Sequence, residues 1–175
     1  MFEKIQEIDD NILSKIDVLR THKLDKIMVF ITNMGNSGGI WLFLGLTFML
    51  IRGHRRKGAE IFVAVGTATL MSEVVFKNIA KRSRPCERVP EKIMLISKPT
   101  SYSFPSGHTT SSFASAYVIS NVFLANCGFI IFVLAFLLAF VISFSRLYLK
   151  VHYPSDVLVG MLLGLMCGVI ALWVF

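Results

Sequence analysis

The residues best suited to chemistry lie near the C-terminus, in Ser145-Arg146-Leu147-Tyr148-Leu149-Lys150-Val151-His152-Tyr153-Pro154-Ser155-Asp156. Proline is tolerated at the first position of a helix and rarely inside one, so a new helix is expected to start at Pro154. His152 then precedes that helix and Asp156 falls in its first turn. A carboxylate so placed can accept from one imidazole nitrogen and leave the other free and more basic, as a base or a nucleophile requires. Arg146 adds a planar cationic fork suited to phosphate. The same residue types also suit a loop at a membrane interface, with the long cationic side chains snorkelling toward water.

Two further polar stretches stand beside apolar runs: Lys77-Asn78-Ile79-Ala80-Lys81-Arg82-Ser83-Arg84-Pro85 and Pro105-Ser106-Gly107-His108. Ser106 reads as an N-cap, so Gly107, His108 and Thr109 would present backbone N–H groups at a helix start, where donors and dipole favour an anion. Gly107 lets an anion approach the backbone closely. Lys77, Arg84 and Arg146 add positive charge, and His108 and His152 can share acid and base work. Phosphoryl transfer asks for this combination, namely positioning and stabilisation of charge on the phosphoryl oxygens.

The elements that must carry these residues are apolar. The chain of 175 residues is 54% hydrophobic, with a mean hydropathy of +0.65. Its apolar runs approach the roughly 20 residues that cross a bilayer, so an integral membrane protein of all-α class is expected. Residues 1–26 place Phe2, Ile5, Ile8, Ile12, Ile16 and Leu19 at helical spacing among charges, as an amphipathic helix on the membrane surface does. An acidic amphipathic stretch of this kind is not a signal peptide.

Residues 27–175 then read as a polytopic bundle of five or six membrane helices. The run from Ile27 to Ile51 is broken by Gly35-Asn36-Ser37-Gly38-Gly39, giving an entering segment, a bend and a span from about Ile40; one tilted span is the alternative. Further spans are expected over about 58–80, 107–125, 128–149 and 154–173, with a tight turn at Asn126-Cys127-Gly128. Glu73, an acid in an apolar helix, is expected to pair with Lys77 four residues on. Gly160, Gly164 and Gly168 give the last span a smooth face for close packing, within the chain or between two chains. Cys86, Cys127 and Cys167 have neither metal spacing nor a disulfide framework, and His22 and His54 read as surface residues.

The compact basic turn Arg52–Lys57 is expected in the cytoplasm. Counting spans from it puts Lys77, residues 81–105 and the His152 stretch together outside. That face is richer in Lys and Arg than the turn, against a simple charge count, and anion binding accounts for the excess.

The three stretches together resemble the type 2 phosphatidic acid phosphatase superfamily, which shares its pocket with vanadium haloperoxidases and glucose-6-phosphatase. The family pattern is Lys, six residues, Arg-Pro; Pro-Ser-Gly-His; and Ser-Arg, five residues, His, three residues, Asp. Here it stands as Lys77…Arg84-Pro85, Pro105-Ser106-Gly107-His108 and Ser145-Arg146…His152…Asp156. The resemblance covers about residues 27–175. It implies that His152 is the nucleophile that takes the phosphoryl group and that Asp156 orients it. His108 would protonate the leaving group and then activate water against the phosphohistidine. Lys77, Arg84, Ser106, Gly107 and Arg146 would hold the phosphate oxygens, with no metal and no cofactor.

By resemblance to compact bacterial members, the substrate would be a membrane lipid: phosphatidylglycerol phosphate, phosphatidic acid, diacylglycerol pyrophosphate or undecaprenyl pyrophosphate, with lipid A as an alternative. The active site would face the extracytoplasmic side of the cell membrane. The partners implied are this lipid and the bilayer, not nucleic acid. A reading of another class, a non-catalytic phospholipid binder or transporter, needs the cations but neither histidine nor Asp156.

Overall fold

A computed structural model describes residues 2–90, 94–122 and 128–175, and among these every regular element is helical. Helix α1 (Phe2–Asp17) is followed by α2 (His22–Met34), whose start is set by Thr21: its Oγ1 accepts from Leu24 N at 3.2 Å. Helix α2 therefore begins at His22, after this cap.

A 3₁₀ turn (Asn36–Gly38) separates α2 from α3 (Gly39–Leu50), and the two helices are bent by 51°. Ser37 (φ 52°) and Gly38 (φ 69°) are both left-handed, which a continuing helix does not tolerate. A Cβ on Gly38 would also meet Val65 Cγ1 at 2.8 Å, so the sharp break needs glycine there.

The next rod, Arg55–Ala80, contains α4 (Arg55–Thr69), a π-helical stretch (Leu70–Phe76) and α5 (Lys77–Ala80). After a loop that contains a 3₁₀ turn (Pro85–Arg88) come α6 (Gly107–Val122), α7 (Gly128–Tyr148) and α8 (Pro154–Trp173). Among the described residues three helices are long and apolar enough to cross a membrane: Arg55–Ala80, Gly128–Tyr148 and Pro154–Trp173; the bent α2–α3 pair makes a fourth if it is one span. The expected count of five or six included α6, which is rich in Ser and Thr over its 16 described residues and lies inside the bundle against α4, α7 and α8. Of the turn expected at 126–128, Asn126 and Cys127 lie outside the described residues.

The core between these helices joins Trp41, Ile61, Val65, Phe113, Ile142 and Leu163 with many alanines, and Trp41 Nε1 donates to Ser112 Oγ at 3.0 Å. Apolar side chains also cover the outside. Phe129, Ile130, Leu134 and Leu137 on α7 and Leu158, Leu162 and Met166 on α8 are exposed, as lipid-facing residues are. The glycine face of α8 packs inside the chain against α6. A Cβ on Gly164 would meet Thr110 O at 2.5 Å, and one on Gly168 would meet Ala114 O at 2.9 Å.

Candidate active site

Four elements end at one cavity of about 560 Å³. Its lining includes Lys77, Arg84, Gly107, His108, Arg146 and His152, six of the eight residues singled out from sequence. The other two stand behind it. Ser106 is buried at the start of α6, its Oγ accepting from Thr109 Oγ1 at 2.9 Å and, more weakly, from Thr109 N at 3.4 Å, the expected N-cap. Asp156 is buried behind His152.

The local fold of the His152 stretch follows from its sequence. Helix α7 ends at Tyr148, and Lys150 is left-handed at φ 56°. Pro154 then opens α8, and Asp156, in its first turn, accepts from Tyr153 N at 2.8 Å through Oδ2. This carboxylate caps the helix while facing the imidazole. His152 Nδ1 lies 3.6 Å from Asp156 Oδ2 and has no hydrogen-bond partner among the described residues. A movement of about 0.6 Å would bring the pair to hydrogen-bond length. On the other side of the ring, Arg84 Nη1 donates to Nε2 across 3.1 Å. An acceptor at Nε2 places the ring proton on Nδ1, toward Asp156. Burial pushes the imidazole down to about 3; Asp156 opposes this, while the Arg84 and Arg146 charges add to it. The ring is therefore neutral at ordinary pH, with its Nε2 lone pair toward Arg84.

The cations divide into paired and unpaired. Lys77 Nζ donates to Glu73 Oε1 at 2.5 Å and to Ser101 Oγ at 3.1 Å, so the pair expected from the i, i+4 spacing forms. The pair sits where the π-helical stretch meets α5, a distortion frequent at functional sites. Arg84 is buried and spends its fork on neutral acceptors: Ser101 O at 2.7 Å, Val151 O at 2.7 Å and Tyr102 O at 2.9 Å. Arg146 is buried too. Its Nη1 donates to Thr32 Oγ1 at 2.5 Å, and its Nε has no partner. Among the described residues no carboxylate pairs with Arg84 or Arg146. Buried charge without a counter-charge is costly, and an anion in the cavity would relieve that cost.

Several lining residues were not among those singled out. The break between α2 and α3 brings Asn36, Ser37 and Gly38 to the cavity, and Asn36 Oδ1 accepts from His108 Nε2 at 3.0 Å. The polar interruption of the apolar run was visible in sequence, but nothing local linked it to a histidine 72 positions away. Glu73, expected only as the partner of Lys77, also lines the cavity. A Cβ on Gly107 would lie 2.3 Å from Glu73 Oε1, so the glycine admits a carboxylate to the place where an anion was expected. Thr69, Ser72, Ser101 and Ser111 supply further hydroxyl groups. Among the described residues no cluster of His, Cys, Asp or Glu has metal-binding geometry.

The family model of the PAP2 superfamily matches residues 57–175. An undecaprenyl-diphosphatase of Sulfolobus acidocaldarius is 30% identical over 141 residues, covering 81% of this chain and 66% of that protein. The crystal structure of Aquifex aeolicus LpxE superposes with a TM-score of 0.77 at 30% identity, over 95% of both chains. A transmembrane PAP2-type phosphatidylglycerolphosphate phosphatase from Bacillus subtilis superposes with a TM-score of 0.80 at 27% identity, over 98% of this chain and 86% of that one. The match to the Sulfolobus protein spans just under two thirds of its length. Helices that cross a membrane, a cavity that gathers all three motifs and a family match over most of the chain agree: this membrane protein belongs to the PAP2 superfamily.

Proposed function

We propose that the chain is a membrane phosphatase that hydrolyses the phosphate monoester or pyrophosphate of a lipid through a phosphohistidine at His152. The observation that carries this is the pair of buried arginines without carboxylate partners among the described residues, Arg84 and Arg146, lining one cavity with a neutral His152. A phosphate dianion supplies the missing counter-charge.

In this reading Arg84 Nη1 transfers its hydrogen bond from Nε2 to a phosphoryl oxygen when substrate enters. The Nε2 lone pair is thereby released to attack phosphorus. The proton on Nδ1 stays with the ring, and Asp156 closes on it as positive charge develops. Lys77, Arg146 and the N–H groups at the Gly107 end of α6 hold the remaining oxygens, with Ser106 acting as the cap of that helix. His108, oriented by Asn36, protonates the departing oxygen of the lipid and then takes a proton from the water that splits the N–P bond. Lys77, Arg84 and Arg146 carry the charge neutralisation, so the scheme calls for no metal.

The substrate class is a lipid bearing a terminal phosphate: phosphatidylglycerol phosphate, phosphatidic acid, diacylglycerol pyrophosphate, undecaprenyl pyrophosphate or lipid A. The site lies at the ends of membrane helices, so a headgroup can enter while its tails stay in lipid. Helix α1 belongs to the membrane interface, where its exposed Ile5, Ile8 and Ile12 meet acyl chains. The cavity faces the extracytoplasmic side, opposite the Arg52–Lys57 turn.

Phosphate release from each lipid in one detergent, measured with purified protein, tests the activity. Rapid acid-free quenching with ³²P-labelled substrate tests the intermediate. The expected result is release with transient label on His152. A protein that binds these lipids and releases no phosphate from any of them would be a binder of the other class.

A further inference from the structure

Helix α1 lies outside the family match, which starts at residue 57, and surface-lying amphipathic helices usually contribute membrane affinity alone. Asp9 departs from that pattern. It is only 2% exposed and points into the protein. Its carboxylate accepts from Arg82 Nη2 at 2.7 Å, from Ser155 N at 2.9 Å and from Ser155 Oγ at 2.5 Å. Ser155 N is one of the N–H groups that a helix start leaves unpaired, so α1 caps α8 from outside.

Arg82 joins this carboxylate to a second one. Its Nη1 donates to Asp156 Oδ1 at 2.7 Å, and its guanidinium lies over the Tyr153 ring, 4.0 Å from the centroid. Gln6, also on α1, accepts from Nη2 at 2.8 Å. Both oxygens of Asp156 are thereby assigned: Oδ1 to Arg82, Oδ2 to Ser103 Oγ at 2.5 Å and Tyr153 N, on the side facing His152 Nδ1. Without Arg82 the fully buried Asp156 would lose its cationic partner and the contact that fixes its rotation. Without Asp9, Arg82 would keep its charge but lose the carboxylate that aims its fork.

We propose that α1 is part of the catalytic apparatus: Asp9 and Arg82 are positioning residues that hold Asp156, and through it His152, in the attacking geometry. This rests on the reading of His152 and Asp156 as the nucleophile and its orienter. Neither Asp9 nor Arg82 lines the cavity, so phosphate binding does not depend on them directly.

The test compares Asp9→Asn, Arg82→Met and Arg82→Lys with wild type and with His152→Ala, in full-length protein in detergent. Asp9→Asn and Arg82→Met are expected to lower kcat about 10- to 100-fold, with KM and the inhibition constant of inorganic phosphate within about threefold of wild type. Arg82→Lys, which keeps the charge, recovers part of the loss. The acidic limb of kcat/KM adds a readout that a purely structural role would not move. His152 faces Arg84 from the loop, Arg146 from α7, His108 from α6 and Asp156 from α8, with Arg82 and Asp9 behind Asp156. Removing Arg82 leaves the Asp156 charge uncompensated, favours the imidazolium and moves the limb to higher pH; Asp9→Asn does not move it upward.

Wild-type kcat in Asp9→Asn and Arg82→Met with an unmoved limb in Arg82→Met, beside an inactive His152→Ala, overturns the proposal and leaves the phosphatase reading intact. Parallel loss of phosphate inhibition and kcat overturns it in favour of a general packing role. An active His152→Ala overturns the reading on which it rests.

Discussion

Arg84 Nη1 stands 3.1 Å from His152 Nε2, so the nitrogen that the proposed mechanism uses for attack is occupied by a hydrogen bond from the arginine proposed to bind phosphate. One guanidinium thus holds the ring in the tautomer with Nε2 unprotonated, and in the proposed mechanism the arriving phosphate draws it away. The lone pair would then be freed where and when phosphorus is in place.

The two histidines are expected to separate by leaving group. His152→Ala should be inactive on every substrate, since no substrate group replaces a nucleophile. His108→Ala should lose about 10²–10⁴-fold on a lipid phosphate, the usual worth of general acid help. On p-nitrophenyl phosphate, whose leaving group needs little protonation, its first step should be far less impaired. A rapid burst of nitrophenol followed by a slow steady rate would mark the accumulated phosphoenzyme. A burst from His152→Ala, or a His108→Ala protein equally dead in its first turnover on both substrates, would reverse or void the assignment.

Arg146 and Arg84 should respond differently in stability. Each removal is expected to cost about 10²–10³-fold in kcat on any phosphate substrate, the order seen when a preorganised charge-stabilising donor is lost. Among the described residues the Arg146 side chain has one hydrogen bond, to Thr32, and an unpartnered Nε, so Arg146→Met should keep or raise the melting temperature of the unliganded protein. Arg84→Met leaves Ser101 O, Val151 O and Tyr102 O without their donor and should lower it. Melting curves with and without inorganic phosphate check both, and phosphate stabilisation should shrink in each variant. A large drop in melting temperature for Arg146→Met would contradict the unpaired-charge argument.

His152 also makes a pH prediction. In the unfolded chain its imidazole binds a proton near pH 6.5, while burial holds the folded-state value down to about 3. Between these values the unfolded state binds more protons, so stability falls as pH is lowered from about 6.5 toward 3, by up to about 1.4 kcal/mol per pH unit from this group. Above 6.5 the group contributes no slope. His152→Gln should show a shallower loss than wild type in that window, read as the difference between two series of unfolding curves. Superimposable series would refute it.

The proposed orientation is checked by labelling. Single cysteines at Arg52 and Ser97, both exposed positions, would be treated with an impermeant thiol reagent on intact cells, in a background lacking Cys86. Labelling of Ser97→Cys alone is the expected outcome. Labelling of Arg52→Cys alone would invert the protein.

The sequence by itself determined the three motifs, the apolar helices beside them, the capped start of α6 and the opening of α8 at Pro154. Each is a local matter of a cap, a proline, a spacing or a run of apolar residues, and local rules act on neighbours in the chain. The Glu73–Lys77 pair was legible for the same reason, being one helical turn apart. Tertiary structure decided what comes from a distance. The α2–α3 break delivers Asn36 to His108, α1 delivers Asp9 to Arg82, and the loop delivers Ser103 to Asp156 across 53 positions. None of these has a periodic or motif signal, because a hydrogen-bonding partner is selected by packing geometry and not by its place in the chain. The burial that leaves Arg146 and Arg84 without carboxylates among the described residues was equally beyond the sequence. Whether a charge is paired, and hence whether it awaits an anion, depends on which side chains the bundle excludes from its neighbourhood.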